Sequence, residues 1–158
     1  MLRGRRGLVL ALLLVLVSRA APAAEAAPLG LWWAEGGAAQ VEIFPCASAL
    51  CGRVVWLRSP FDDDGCPVRD ERNPDPTLRD RELIGMEFLS GLRPSQNAPN
   101  VWINGQIYDP TSGRSYPAAL SLDGPRRLRL RGYVAFELLG RTTRWTRVGG
   151  EGQCQSAD

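Results

Sequence analysis

Residues 101–122 read VWINGQIYDPTSGRSYPAALSL, and this stretch decides the fold class. The runs 101–108 and 116–122 are short and rich in the residues that strands favour. Between them, Asp109-Pro110-Thr111-Ser112-Gly113 is a strong turn signal, because Pro fixes φ and Gly tolerates positive φ. The stretch therefore predicts a β-hairpin.

The same pattern continues on both sides of this hairpin. Asp123-Gly124-Pro125 marks another tight turn, whereas Asp75-Pro76 predicts only one short helical turn, through Arg81. About eight short antiparallel strands predict a single all-β domain. We expect a closed up-and-down barrel, because closure removes exposed edge strands, and a sandwich is the alternative. The other strand-like runs are 29–33, 40–44, 51–57, 83–89, 128–134 and 141–148.

Alternation within 101–108 predicts a candidate ligand-binding face. Its members would be Trp102, Asn104, Gln106 and Tyr108. Aromatic rings with a few amides suit a sugar, a lipid or another amphiphile. The alternative is that these side chains pack outward or fill a barrel whose eight strands leave little space.

A second alternation occurs in residues 127–131. Leu128 and Leu130 are predicted to be buried, and Arg127, Arg129 and Arg131 to form a solvated face. The alternative for these arginines is a site for an anion or an acidic partner.

The N-terminus has the pattern of a secretory signal peptide. Arg3, Arg5 and Arg6 precede a continuous apolar run, and Ala21-Pro22-Ala23 fits a cleavage site. The apolar run is shorter than a membrane span needs. We therefore predict a signal peptide at 1–23, a mature domain at 24–158, and a periplasmic or secreted protein.

Charge and composition exclude several functions. The chain contains no His, and all 19 of its cations are Arg, which excludes a His base or metal ligand and a Lys Schiff base. Signal cleavage would remove four Arg and no acid, changing the formal charge from +2 to −2. The basic precursor is thus no indication of nucleic-acid binding. We predict no enzyme activity, no cofactor and no metal.

A carboxylate-based hydrolase remains as an alternative, because two acids at a cleft can hydrolyse glycosides without His or Lys. The candidates are Glu42, Glu87, Glu137 and Asp109, and their spacing selects no pair.

All four cysteines follow the signal peptide, and an even count in an exported chain favours disulfides. Cys46 and Cys51 flank a short loop between two strand-like runs, which predicts a bridge across that hairpin. Cys66 and Cys154 would then pair by elimination.

The most polar stretch runs from Asp62 to Asp75. We predict a loop over one barrel mouth, held by ion pairs and hydrogen bonds. Its predicted network comprises Asp70, Asn73, Asp75, Arg79 and Arg81, with Glu82 beside them. Calcium binding by the clustered carboxylates is the alternative, although the spacing fails the EF-hand template.

Several motifs recur along the mature chain: LCGRVVWL at 50–57, LRDRELIG at 78–85, WINGQIYDP at 102–110, RGY at 131–133 and WTR at 145–147. Together they resemble the DUF2147 family of exported bacterial proteins. The resemblance covers roughly residues 28–148 and implies a lipocalin-like barrel, but no established activity and no catalytic residues. Cys66 and Cys154 depart from the family's usual pattern.

Gly30-Leu31-Trp32 resembles the GxW motif of lipocalins, in which an Arg of the last strand packs over the Trp. Arg144 or Arg147 is expected to do so here by a cation–π contact that closes the barrel.

The leading functional prediction is non-catalytic binding of a small or amphiphilic molecule in the cell envelope. An interaction or inhibitor module without a cavity is the alternative, and the carboxylate-based hydrolase comes last. No nucleic-acid partner and no membrane span after cleavage are expected, and the oligomeric state stays open.

Overall fold

The computed structural model describes residues 27–134 and 136–149, with the side chains of Val134 and of 136–139 outside that description. Within these residues, eight antiparallel strands form one closed up-and-down barrel, in which β8 pairs back with β1. The predicted all-β barrel is confirmed. The strands are β1 (Gly30–Trp33), β2 (Ala39–Cys46), β3 (Ala49–Leu57), β4 (Glu87–Pro94), β5 (Val101–Asp109), β6 (Arg114–Leu122), β7 (Arg127–Val134) and β8 (Phe136–Arg147).

The β5–β6 turn shows why its sequence was decisive. The Asp109 carboxylate accepts hydrogen bonds from the backbone NH and the hydroxyl of Thr111, at 2.9 and 2.6 Å. Gly113 has a φ of 68°, and a Cβ there would lie 2.0 Å from the Arg72 carbonyl oxygen. Both its backbone angle and the approach of the β3–β4 loop therefore require glycine at this position.

The long β3–β4 connection changes one predicted boundary. The predicted run 83–89 begins too early, because the backbone of Leu83 bonds to Val68 and that of Gly85 bonds to Val54. These residues finish the loop, and β4 starts at Glu87. The predicted helical turn is a 3-10 helix, Pro76–Leu78, whose Asp75 cap accepts from the backbone NH of Thr77.

The four residues predicted to share one face of β5 do not share it. They are Trp102, Asn104, Gln106 and Tyr108. Trp102 pairs with the buried Leu120 and packs against the core, whereas Gly105 pairs with the buried Ala118. Two residues stand between these inward positions instead of one, so the strand bulges, and Asn104 is exposed with a φ of 61°. From Gly105 onward the alternation resumes, and Gln106 and Tyr108 face outward.

The hydrophobic core fills the barrel interior. Leu128 and Leu130 are buried, which confirms the predicted faces of residues 127–131. Burying a large aliphatic or aromatic side chain stabilises a fold by roughly 1.5–3 kcal/mol. The other fully buried large apolar side chains include Trp32, Ile43, Leu89, Leu92 and Leu120.

One of the two predicted disulfides lies within the described residues. Cys46 and Cys51 are bonded across the β2–β3 turn, as predicted. Cys66 is exposed and is not bridged to any described cysteine, and Cys154 lies outside the described residues, so their pairing stays a prediction. The predicted signal peptide, 1–23, also lies outside them. In the described part of the chain, no helix has the length and apolar character that crossing a membrane requires.

Candidate functional site

One end of the barrel contains a cavity. The β1–β2, β3–β4 and β5–β6 connections lie at this end, which we call the mouth. A space of about 550 Å³, the mouth cavity, lies here between β5, β6, β7 and β8. Its lining comprises Ile107, Tyr108, Asp109, Pro110, Thr111, Tyr116, Leu130, Gly132, Arg141 and Thr143.

The walls of the mouth cavity are mostly apolar. Ile107 pairs with Tyr116 across β5 and β6, and Leu130 pairs with Thr143 across β7 and β8. A Cβ on Gly132 would lie 3.4 Å from Ile107 Cγ2, so a larger residue there would occupy this space. The glycine in the middle of β7 therefore helps to keep the cavity open.

The charged groups of the mouth cavity are Arg141 and Asp109. The Arg141 guanidinium is exposed and makes no hydrogen bond or ion pair with any described residue. Burial acts to raise the pKa of Asp109, but hydrogen bonds from Thr111 and Ser112 outweigh it and hold that pKa below its usual value. Asp109 is thus ionised and already hydrogen-bonded, which leaves the Arg141 cation available to a ligand.

Most of the predicted ligand residues lie outside the mouth cavity. Of the four, Tyr108 alone is in the cavity lining, Trp102 packs against the core, and Asn104 and Gln106 are exposed on the outer wall. Sequence reasoning missed Gly132 and Arg141. Gly132 follows Leu130 on the face of β7 that was already predicted to be buried, so that alternation was the signal that pointed to it.

Near the other end of the barrel, Arg147 covers Trp32. Trp32 is fully buried, and its Nε1 donates to the Pro28 carbonyl at 2.8 Å. The Arg147 guanidinium carbon lies 4.2 Å from the ring centroid. Its three nitrogens donate to the carbonyls of Pro125, Leu29 and Ala27 at 2.8, 2.7 and 3.0 Å. One side chain thereby joins β8, the β6–β7 turn and the segment before β1.

Arg144, the other candidate for this contact, lies on the outer wall. It faces Arg129 in the β7–β8 register and lines a separate surface groove.

The β3–β4 loop is held by a buried carboxylate. Asp70 is fully buried and accepts from the Tyr108 hydroxyl at 2.6 Å, from Asn73 Nδ2 at 2.7 Å and from Arg81 Nη2 at 2.6 Å. Burial acts to raise the pKa of Asp70, but these hydrogen bonds and the Arg81 charge together hold it below its usual value. Burial and the neighbouring carboxylate raise the pKa of Tyr108 to about 12.

Two details of the predicted loop network need correction. Arg79 donates to the backbone carbonyl of Asn73 rather than to a carboxylate, and Asp75 accepts from Thr77. The loop is anchored at the rim of the mouth, because its bonds reach Tyr108 on the outer face of β5 and, from Arg72, the Thr111 carbonyl in the β5–β6 turn. Hydrogen bonds from Thr77 lower the pKa of Asp75.

The remaining acids are dispersed. Asp62 accepts from the backbone NH groups of Asp64 and Cys66, as turn residues do, and Glu42 pairs with Arg53 at 2.7 Å. Glu87 is exposed, and the side chain of Glu137 lies outside the described part of the chain. Among the described residues, no three acidic or cysteine side chains converge as metal ligands.

Comparison with known proteins agrees with this architecture. The sequence model of a family described as "Uncharacterized protein conserved in bacteria (DUF2147)" matches residues 30–147. Among solved structures, the chain is similar to HP1028 from Helicobacter pylori, which is described as belonging to the lipocalin family, with a TM-score of 0.65 and 22% sequence identity. That alignment covers 78% of this chain and 84% of HP1028. No significant match to a curated protein was found. On the strength of the match over residues 30–147, the chain belongs to the DUF2147 family of bacterial proteins.

Proposed function

We propose that this protein binds a small amphiphilic molecule with an acidic group in the mouth cavity, and that it does so without catalysing a reaction. The observation that carries the proposal is the combination of apolar walls with the Arg141 guanidinium, which no described residue engages. A volume of about 550 Å³ lies within the range of small-molecule sites. The apolar part of the ligand would lie against Ile107 and Leu130, and its acidic group would pair with Arg141.

A binding role is favoured over hydrolysis by the carboxylates at the mouth. Asp109 is the one carboxylate among the described lining residues, and Thr111 and Ser112 already occupy its oxygens. A glycosidase of the usual kind needs two carboxyl groups facing one bond. We further propose that binding takes place in the cell envelope after export, which the bridged Cys46 and Cys51 support, since disulfides persist in oxidising compartments.

Titration with dodecanoate, followed by calorimetry, tests the proposal. We expect dodecanoate to bind and dodecanol to bind about tenfold to a hundredfold more weakly, because a hydrogen bond to a charged group is worth about 1.5–3 kcal/mol. Arg141→Gln should weaken dodecanoate to the level of dodecanol. Gly132→Val should weaken both ligands, because the added methyl groups occupy the cavity.

Arg93→Gln is the matched control, because Arg93 is exposed on β4 and does not line the cavity. It should leave both affinities unchanged. Binding that is insensitive to both cavity variants would disprove the site. Native mass spectrometry of protein from the periplasm should show a co-purified acidic small molecule, and a co-purified protein instead would support the interaction-module alternative.

A further inference from the structure

A second concave surface lies on the outside of the barrel, separate from the mouth cavity. This outer groove has a volume of about 440 Å³ and is formed by β1, β3, β8 and the turn after β1. Its lining includes Trp33, Trp56, Arg58, Arg144 and Glu35. None of these residues lines the mouth cavity.

Strand register places these groups in one band across the wall. Trp33 lies between Thr146 of β8 and Gln40 of β2, and Gln40 lies opposite Trp56 of β3. Arg127 of β7 continues the row beyond Thr146. Directly paired residues project on the same side of a sheet, so the band is continuous on the outer face.

The two indoles of the band form an aromatic platform. Trp33 and Trp56 meet edge to face, with ring centroids 5.3 Å apart and planes at 84°. Trp56 remains 40% exposed, which is unusual for so large an apolar side chain. An exposed ring held in place by a second ring gives a flat, ordered surface for stacking.

The cations beside the platform are positioned for an anion. Arg58 is held by one hydrogen bond to the Gly36 carbonyl at 2.8 Å, which leaves its other N–H groups available. Arg144 makes no side-chain hydrogen bond or ion pair with any described residue, although it lies directly opposite Arg129. The Asp123 carboxylate lies 3.6 Å from Arg129 and offsets its charge. Arg144 has no such partner among the described residues, so it can pair with an anion in the groove.

From this arrangement we infer that the outer groove binds an acidic oligosaccharide. A pyranose ring stacks on the exposed indole of Trp56, which Trp33 holds in place, and the carboxylates of the saccharide pair with Arg58 and Arg144. Glu35 accepts hydrogen bonds from sugar hydroxyls. These hydroxyls, together with the flat face of a pyranose ring, distinguish the proposed ligand from a chain of acidic amino acids and from a phosphate-dense lipid surface. The inference is independent of the mouth cavity and of the function proposed for it.

Binding of hexagalacturonate, a uronic-acid hexamer, tests this inference by calorimetry and tryptophan fluorescence. We expect it to bind, to bind less well as salt rises, and to exceed neutral maltohexaose in affinity. Arg144→Gln should weaken binding about tenfold, because a charge-assisted hydrogen bond is lost. Trp56→Ala should weaken it about fivefold, through the lost stacking. Circular dichroism would verify that Arg144→Gln and Trp56→Ala both fold.

Two control variants show whether binding depends on the outer groove. Arg93→Gln removes an exposed arginine outside the groove, and Gly132→Val fills the mouth cavity, and neither should change hexagalacturonate binding. Absence of binding, or equal binding by wild type and both groove variants, would overturn the inference. So would hexaglutamate binding as tightly as hexagalacturonate, or phosphatidylglycerol vesicles binding through Trp56 and Arg144, because charge alone or a membrane would then be the ligand.

Discussion

Trp32 and Trp33 are consecutive residues of β1, yet they lie on opposite sides of the barrel wall, and the same division separates Arg147 from Arg144 on β8. Inside, Arg147 covers the buried Trp32 and donates to three carbonyl groups. Outside, Arg144 lines a groove beside the partly exposed Trp33 and has no side-chain bond to a described residue.

The two arginines differ in how far the protein itself uses their hydrogen-bond donors. Each nitrogen of the inner guanidinium donates to a carbonyl of the protein, so this side chain contributes to stability and has less capacity for a ligand. The outer guanidinium has its donors open to solvent, so it contributes little to stability and can bind an anion. Variants of the two regions should therefore separate stability from binding.

The largest effect is expected from Trp32→Ala, which should lower the free energy of unfolding by about 3–5 kcal/mol, since it leaves a cavity where a fully buried indole was. Urea denaturation measures the change. Trp56→Ala, at a ring that is 40% exposed, should cost about 1 kcal/mol or less. If Trp32→Ala does not fold, Trp32→Phe should show the same ranking, and equal losses at the two positions would contradict the comparison.

Arg147→Gln should come next, with a loss of about 2–3 kcal/mol, because three hydrogen bonds and a cation–π contact depend on its guanidinium. Arg144→Gln, its counterpart outside, should stay within about 0.5 kcal/mol of the wild type. Thermal and urea unfolding of both variants give the test. A destabilised Arg144→Gln would show that the outer guanidinium has a structural role.

Asp70→Asn tests whether hydrogen bonding or position determines stability. The Asp70 carboxylate accepts three hydrogen bonds, although it lies in a loop on the outer side of β5. The loss at neutral pH should be about 2 kcal/mol, since three donors lose a carboxylate. Asp80→Asn is the control, because the Asp80 side chain is 95% exposed and its ion pair with Arg69 is long, at 3.7 Å. It should change stability by less than about 0.5 kcal/mol, the value of a weak surface pair.

The pH dependence of the Asp70 variant follows from the direction of its pKa shift. The folded-state pKa of Asp70 lies below its usual value of 3.8. Its stabilisation is therefore present above that usual value and is lost as pH falls through the folded-state pKa. The difference in unfolding free energy between wild type and Asp70→Asn should shrink below about pH 4, near the unfolded pKa of an Asp. A difference that stays constant down to low pH would contradict the assignment.

The smallest effect is expected from Asp123→Asn. Asp123 lies 3.6 Å from both Arg127 and Arg129 on the outer wall, and its side chain is 46% exposed. Its removal should cost less than about 0.5 kcal/mol and less still at high salt. Chemical unfolding at two salt concentrations measures this, and a loss as large as that of Arg147→Gln would show that exposure is a poor guide to stability here.

Local chemistry made much of the fold predictable. The turn at 109–113, the bridge between Cys46 and Cys51 and the buried Leu128 face all depend on residues close together in the chain. The start of β4 was misplaced because the bonds that hold Leu83 and Gly85 in the loop come from Val68 and Val54. The alternation of apolar and polar residues along the chain does not reveal hydrogen-bond partners that lie so far away in sequence.

The candidate sites were less predictable. The four residues predicted to share one face of β5 are divided, because one bulge at Asn104 moved the later residues to the other side of the strand. The mouth cavity depends on Gly132 facing Ile107 across an intervening strand, which follows from the register and curvature of the sheet. The outer groove likewise brings Trp33, Trp56 and Arg144 together from three strands.

The number of strands and the turns between them followed from local sequence, because strand periodicity, turn chemistry and the Cys46–Cys51 spacing each depend on a few neighbouring residues. The tertiary structure decided which arginine covers Trp32, which face each residue of β5 takes and where space remains for a ligand. These depend on the register between strands and on the pairing of β1 with β8, which join residues more than a hundred positions apart in the chain.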